Sequence, residues 1–243
     1  MANPTYAQSV WAEIAAAGPP NTVYNGSNQF PAPNTPGNLL VCWVRGTGAT
    51  TSVTGSVNGA YSVAIPSGTG GSGEYEGLYY FPNCGAGQET VQVINTGGGV
   101  AEIVLAEYSD VALTSPLDGT PVIVRTSAAL SVAMITLTAN DLLLGLSTFS
   151  NGTVPGAGTG FTLRQSAINA GFANLFDNAG PPFTANSAGS NTFTQTGATP
   201  TAIAIAAFKQ GTPAPPSGGP GTGAPPFGWV NTQGDHYNKR GLR

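Results

Sequence analysis

The chain has 243 residues, of which 40% are hydrophobic but only 7% are Asp, Glu, Lys or Arg, where about 25% is usual. A net charge of −4 with seven Lys and Arg leaves no surface able to track phosphates outside a short C-terminal tail, which argues against nucleic acid as a partner. Strong helix formers are scarce, while Thr, Val, Gly and Asn-Gly pairs abound, so the expected fold class is all-β.

The N-terminus lacks the basic start and apolar stretch of a signal peptide, and no apolar run approaches the ~20 residues of a membrane span. Synthesis in the cytoplasm is therefore expected. Ser9 to Ala17 fits a helix capped by Ser9, whereas Thr5–Ser9 and Thr22–Asn25 fit edge strands, and strands are preferred. Leu39 to Arg45 is apolar at nearly every position, as in a central strand covered on both faces. Asn58-Gly59 between Ser52–Val57 and Ala60–Ile65 predicts a hairpin with a type I′ turn, since both central residues of that turn need positive φ.

Further strands are expected at Leu78–Phe81, Thr90–Ile94, Val100–Tyr108, Val122–Thr126 and Leu130–Thr138. The series continues with Asp141–Phe149, Phe161–Gln165, Phe172–Phe176, Thr192–Thr196 and Thr201–Phe208. Short strands separated by Gly, Pro or Asn clusters, without long helical patterns, predict an antiparallel sandwich or barrel. No repeat of fixed length is visible. After Lys209-Gln210, Pro213, Pro215, Pro216, Pro220, Pro225 and Pro226 mark an extended tether. The expected organisation is a β-sandwich domain over 1–210 and a Pro/Gly-rich docking arm over 211–243.

Catalytic signals are weak. His236, the single histidine, sits in the arm beside Asp235, where nothing in this chain holds it rigidly against a nucleophile. One His and two separated Cys supply no closed set of zinc ligands, so no metal or cofactor is expected. Glu74 and Glu76 share strand parity but lie in a Gly/Ser loop, which predicts solvated side chains; Glu102 and Glu107, five apart, should face opposite sides of a strand. Gly68 to Gly73 matches a dinucleotide-loop pattern but leads into another strand rather than a helix. Asn25-Gly-Ser27 and Asn151-Gly-Thr153 are formal glycosylation sequons that read as turns. Tyr79 and Phe81 should share one face of their strand and Tyr80 take the other, with one face in the core; Tyr75 is a candidate for stacking on a sugar. Cys42 and Cys84 allow at most one intrachain disulfide, and their spacing does not place them together.

Six segments occur in a suggestive order: Pro36–Val41, Tyr79–Asn83 with Ala86-Gly87, Ala106–Val111 with Leu117-Asp-Gly119, Ala139–Gly145, Gly160–Arg164, and Ala206–Lys209. Over about residues 3–210 the chain resembles a jelly-roll-like β-sandwich module of phage virion proteins and bacterial surface or secreted proteins. The resemblance implies a non-catalytic virion protein on the particle surface, a capsid decoration or cement protein in contact with other virion proteins or neighbouring copies. The arm, which has no counterpart in the module, would dock with Phe227 and Trp229 as anchors, His236 and Tyr237 in the interface, and Lys239, Arg240 and Arg243 on acidic groups. Cys42 and Cys84 also depart from it. The second reading is a tail-fibre or adhesin module that binds host glycans through the loops Gly68–Gly77 or Gly152–Gly160. A third is a virion-borne polysaccharide hydrolase using Glu74 and Glu76.

Overall fold

A computed structural model gives the structure of the chain and describes residues 2–14, 21–22, 28–71, 73–96, 101–125, 129–149, 154–166, 173–180, 183–197 and 200–211. The docking arm, with Phe227, Trp229, His236, Tyr237, Lys239, Arg240 and Arg243, lies outside these residues, as do both sequons. Met1–Thr212 and Pro213–Arg243 are separate units.

Among the described residues there is no helix. The first nine strands are β1 (Thr5–Ile14), β2 (Asn21–Thr22), β3 (Leu39–Gly46), β4 (Thr50–Gly55), β5 (Gly59–Ala60), β6 (Ser62–Thr69), β7 (Tyr75–Phe81), β8 (Val91–Asn95) and β9 (Ala101–Ser109). Eight more follow: β10 (Val122–Val124), β11 (Ser131–Thr136), β12 (Leu142–Thr148), β13 (Gly156–Ala157), β14 (Thr162–Ser166), β15 (Ala173–Asp177), β16 (Gly189–Thr196) and β17 (Ala202–Phe208). All pairings are antiparallel, and the packed sheets form a β-sandwich.

The strand order reveals a repeat. The first half has a five-stranded sheet ordered β1-β9-β3-β7-β6 beside a four-stranded sheet ordered β2-β8-β4-β5. The second half has β10-β17-β12-β15-β14 beside β11-β16-β13. With the two-residue β5, which has no counterpart, left out of the count, the same positions are neighbours in both halves. In each half the first strand pairs with the last, as in a jelly roll.

Three apolar layers join the four sheets. Leu39, Val41 and Trp43 of β3 meet Leu142, Leu144 and Leu146 of β12 between the two five-stranded sheets. On the far side of β3, Leu40, Cys42 and Val44 pack with Val53, Val91 and Val93 of the four-stranded sheet. Beyond β12, Leu143, Ile203 and Ile205 pack with Val132, Met134 and Phe193 of the three-stranded sheet. Strands β3, β9, β12 and β17 are thus covered on both faces, which explains their nearly unbroken apolar runs.

Near Ser9 the preferred strand forms, as the ten-residue β1, and the helix alternative falls away. One local expectation changes. At Asn58-Gly59 a turn forms, but only Gly59 takes a positive φ, 81°, so the turn is not type I′. Only Thr54↔Ala60 and Gly55↔Gly59 pair before Tyr61, after which β6 crosses to β7 in the other sheet. The apolar residues of β6 find their layer there, with Ile65 in the cluster around Trp43, and that burial outweighs continuation of the local hairpin.

Candidate functional site

Seven of the ten described Asp and Glu are buried: Glu76, Glu89, Glu102, Glu107, Asp118, Asp141 and Asp177. A buried carboxylate persists only where donors satisfy it, and most of these hold backbone or loops. Glu107 accepts from Thr35 N and Asn38 Nδ2, both at 2.7 Å, and from Gln8 Nε2. Glu89 accepts from Val57 N at 3.2 Å and Asn58 Nδ2 at 2.8 Å, fixing the turn before Gly59. Asp118 accepts from Leu137 N and Thr138 N, both at 2.7 Å, and from Thr138 Oγ1 at 2.9 Å. Although burial raises the Asp118 carboxyl, the hydrogen bonds from Asp141 and from Thr138 and Leu137 outweigh it and leave the group below the usual range. Asp141 is correspondingly pushed up to about 7 by burial and by Asp118.

Two further buried acids, Glu76 and Glu102, stand in one row. In register across β1, β9, β3 and β7 stand Glu13, Glu102, Arg45 and Glu76, and directly paired residues of neighbouring strands face the same way. Arg45 Nη2 lies 2.8 Å from Glu74 and Arg45 Nη1 3.8 Å from Glu102; Arg125 Nε lies 3.7 Å from Glu76. Thr148 donates to Glu76 at 3.3 Å. Burial pushes both Glu76 and Glu102 up to about 7, against the pull of these arginines.

The solvated reading of Glu74 and Glu76 is thereby corrected. Glu76 is fully buried and Glu74 is 15% exposed, because Arg45 and Arg125 draw both inward. Glu102 and Glu107 do face opposite sides, one toward Arg45 and the other beside Leu40. Two protonatable carboxyls near one arginine are the raw material of acid–base chemistry. Glu76 and Glu102 are 0% and 1% exposed, and neither lines any of the four hollows described below.

Tyr75 is half-buried at the start of β7 and lines none of these hollows either. Tyr79 and Phe81 pack on the layer of Val53 while Tyr80 packs on that of Trp43, so both faces of β7 are core. Cys42 and Cys84 share the Val53 layer as free, buried thiols, and Cys84 Sγ donates to Thr35 O at 3.2 Å. Strand β7 follows the Gly68 to Gly73 loop, so no helix N-terminus meets that glycine pattern. Among the described residues no three His, Cys, Asp or Glu come together as metal ligands.

What sequence reasoning missed is an apolar groove on the second half. Strand β11 alternates exposed and buried positions, and its outer face carries Ala133 and Ile135, continued by Leu137 beyond its end. Ile135 is 66% exposed and Leu137 71%, and with Val122 and Met134 they line an open groove of about 590 Å³ without an ionisable residue. The signal was present as Val132, Met134 and Thr136 alternating with Ala133, Ile135 and Leu137, but both sets look apolar enough to be core.

Comparison with family models, curated proteins and solved structures finds no match to this chain.

Proposed function

We propose that the protein is a non-catalytic structural component of a bacteriophage particle, a decoration or cement protein on its surface that packs against neighbouring copies. The observation that carries this reading is the uncharged groove of Ile135 and Leu137, a large apolar exposure on a chain whose carboxylates are mostly consumed inside. A second copy is the natural occupant, because an uncharged groove is complemented by a surface that offers little charge, and only 7% of this chain is charged. Jelly-roll sandwiches serve as capsid and lectin domains, so the fold agrees with the reading without selecting it.

The arm over 211–243 supplies further contacts, with Phe227 and Trp229 as anchors and Lys239, Arg240 and Arg243 on acidic groups of adjacent virion proteins. Each buried aromatic contributes roughly 1.5–3 kcal/mol, multiplied over the copies of an assembly. The test compares three proteins for co-sedimentation with gradient-purified particles: the full chain, the chain truncated after Gln210, and the double variant Ile135→Ser, Leu137→Ser. The full chain should band with particles and both altered proteins should be depleted. A full chain that stays at the top of the gradient, or altered proteins that bind as well as it does, overturns the proposal.

A further inference from the structure

Three further hollows of about 390, 260 and 440 Å³ run into one another, the second of them sharing Ser190 with the groove at Ile135. Gly160, Phe161, Asn178 and Thr184 line both the first and the second, and Arg164 and Gly180 line both the first and the third. They form one trough, floored by edge strand β14 and walled by the segment 183–192.

Arg164 is placed there by a bulge. Leu163 pairs with Phe176 and Gln165 with Leu175, so Arg164 is the extra residue of β14 and its side chain is re-aimed. Its Nε donates to both oxygens of Asp177 at 3.0 and 2.8 Å, and its guanidinium lies 4.5 Å over the ring of Tyr6. Tyr108 also donates to Asp177, at 2.8 Å, so the carboxylate is fully engaged and the Arg164–Asp177 pair is neutral overall. The Nη2 of Arg164 is left buried with no partner in the protein. Further along, Asn186 lines the second hollow, and both polar atoms of its side chain are buried without a partner. Three of the buried polar atoms that have no partner in the protein, Arg164 Nη2 and both of Asn186, thus lie along one trough.

The ligand chemistry follows. Along the trough lie unmet donors and an unmet acceptor, with aromatic rings from Phe161, Phe183 and Tyr6, and its single charged lining residue, Arg164, is already neutralised. A phosphate or carboxylate ligand would meet no free cation. A purely apolar ligand would leave the amide of Asn186 and the guanidinium of Arg164 unsatisfied. A neutral sugar provides hydroxyls that both donate and accept, and C–H faces that pack on rings. We propose that this trough binds a neutral oligosaccharide, with Asn186 and Arg164 as hydrogen-bonding groups and Phe183 as the stacking ring. This inference is independent of the assembly reading and holds whether or not the groove at Ile135 docks another copy.

The full chain would be titrated calorimetrically with cellotetraose, maltotetraose, mannotetraose and chitotetraose, and screened on an array of neutral, sialylated and sulfated glycans. Saturable binding to at least one neutral glycan is expected. Asn186→Ala should weaken it roughly 5-fold, the loss of about one net hydrogen bond, without lowering the melting temperature, since that side chain makes no bond in the protein. Phe183→Ala should weaken it further, whereas Tyr75→Ala, outside the trough, should leave it unchanged. No saturable neutral ligand, binding confined to acidic glycans, or binding indifferent to both trough variants overturns the proposal.

Discussion

Acidification should stabilise this fold. Glu76 and Glu102 are 0% and 1% exposed, and burial raises each carboxyl from 4.5 to about 7, with Glu74 adding to the rise at both sites and Glu13 adding at Glu102. Arg45 and Arg125 oppose the shift without cancelling it. A carboxyl whose pKa is higher folded than unfolded holds its proton more tightly in the fold. Its contribution is therefore fully present below pH 4.5 and is lost as pH climbs through about 7. Between about pH 8 and about pH 5.5 each group gains about 2 kcal/mol, so the two together give roughly 4 kcal/mol. Asp141, also near 7, adds in the same direction, while Asp118 is lowered from 3.8 and does not titrate in this window. Guanidinium denaturation followed by tryptophan fluorescence at the two pH values, at constant ionic strength, reads the difference as a shifted midpoint at unchanged slope. Glu76→Gln or Glu102→Gln should each shrink that shift by about 2 kcal/mol, roughly a third of it once Asp141 adds its share. A stability that is flat or falls toward the acid side would refute the burial argument, whatever the variants do.

Two other outcomes follow from packing. Burial pushes the Cys42 thiol far above its ordinary value and Cys84 up to about 11, the latter with help from Glu107, so neither should react with a disulfide reagent in the native protein near neutral pH. Denaturation without reductant should then release two titratable thiols, and finding none would mean a bridge the structure does not contain. Gly145 sits against Phe193, where an added Cβ would come within 2.4 Å of the ring. Gly145→Val should therefore cost about 1–3 kcal/mol or more in the same denaturation assay, and a neutral effect would show that the ring of Phe193 can move aside.

The legible part of this fold was local. Leu39 to Arg45 announced a strand buried on both faces, and β3 is that strand; the remaining strand positions follow from alternation and turn residues in the same way. The repeat was not legible, because it lies in strand order rather than in residues. Asn38-Leu39-Leu40 and Asp141-Leu142-Leu143 open corresponding strands, but the segments between them differ in length and composition, so no fixed period marks them. The row of Glu13, Glu102, Arg45 and Glu76 was equally hidden, since its members are far apart in sequence and meet only through strand register. Arg164 escaped notice for a related reason: a bulge has no composition, and its significance appears only when Leu163 and Gln165 are seen to pair with adjacent residues.

The placement of charge ties these features together. A carboxylate inside a β-sandwich is tolerated when loops supply several N–H groups, and Glu107 and Asp118 each collect such donors from segments distant in sequence. Using acids as fasteners for loops leaves few of them outside, where hydroxyls and amides take over. A surface of that kind loses little ionic solvation when it is covered, so contacts that bury Ile135 and Leu137 or fill the trough beside Asn186 are opposed mainly by ordering entropy rather than by desolvated charge. The same economy accounts for the direction of the acid response. Glu76 and Glu102, buried without backbone donors, are pushed to about 7, whereas the loop-capping Asp118 is held down by the donors it collects.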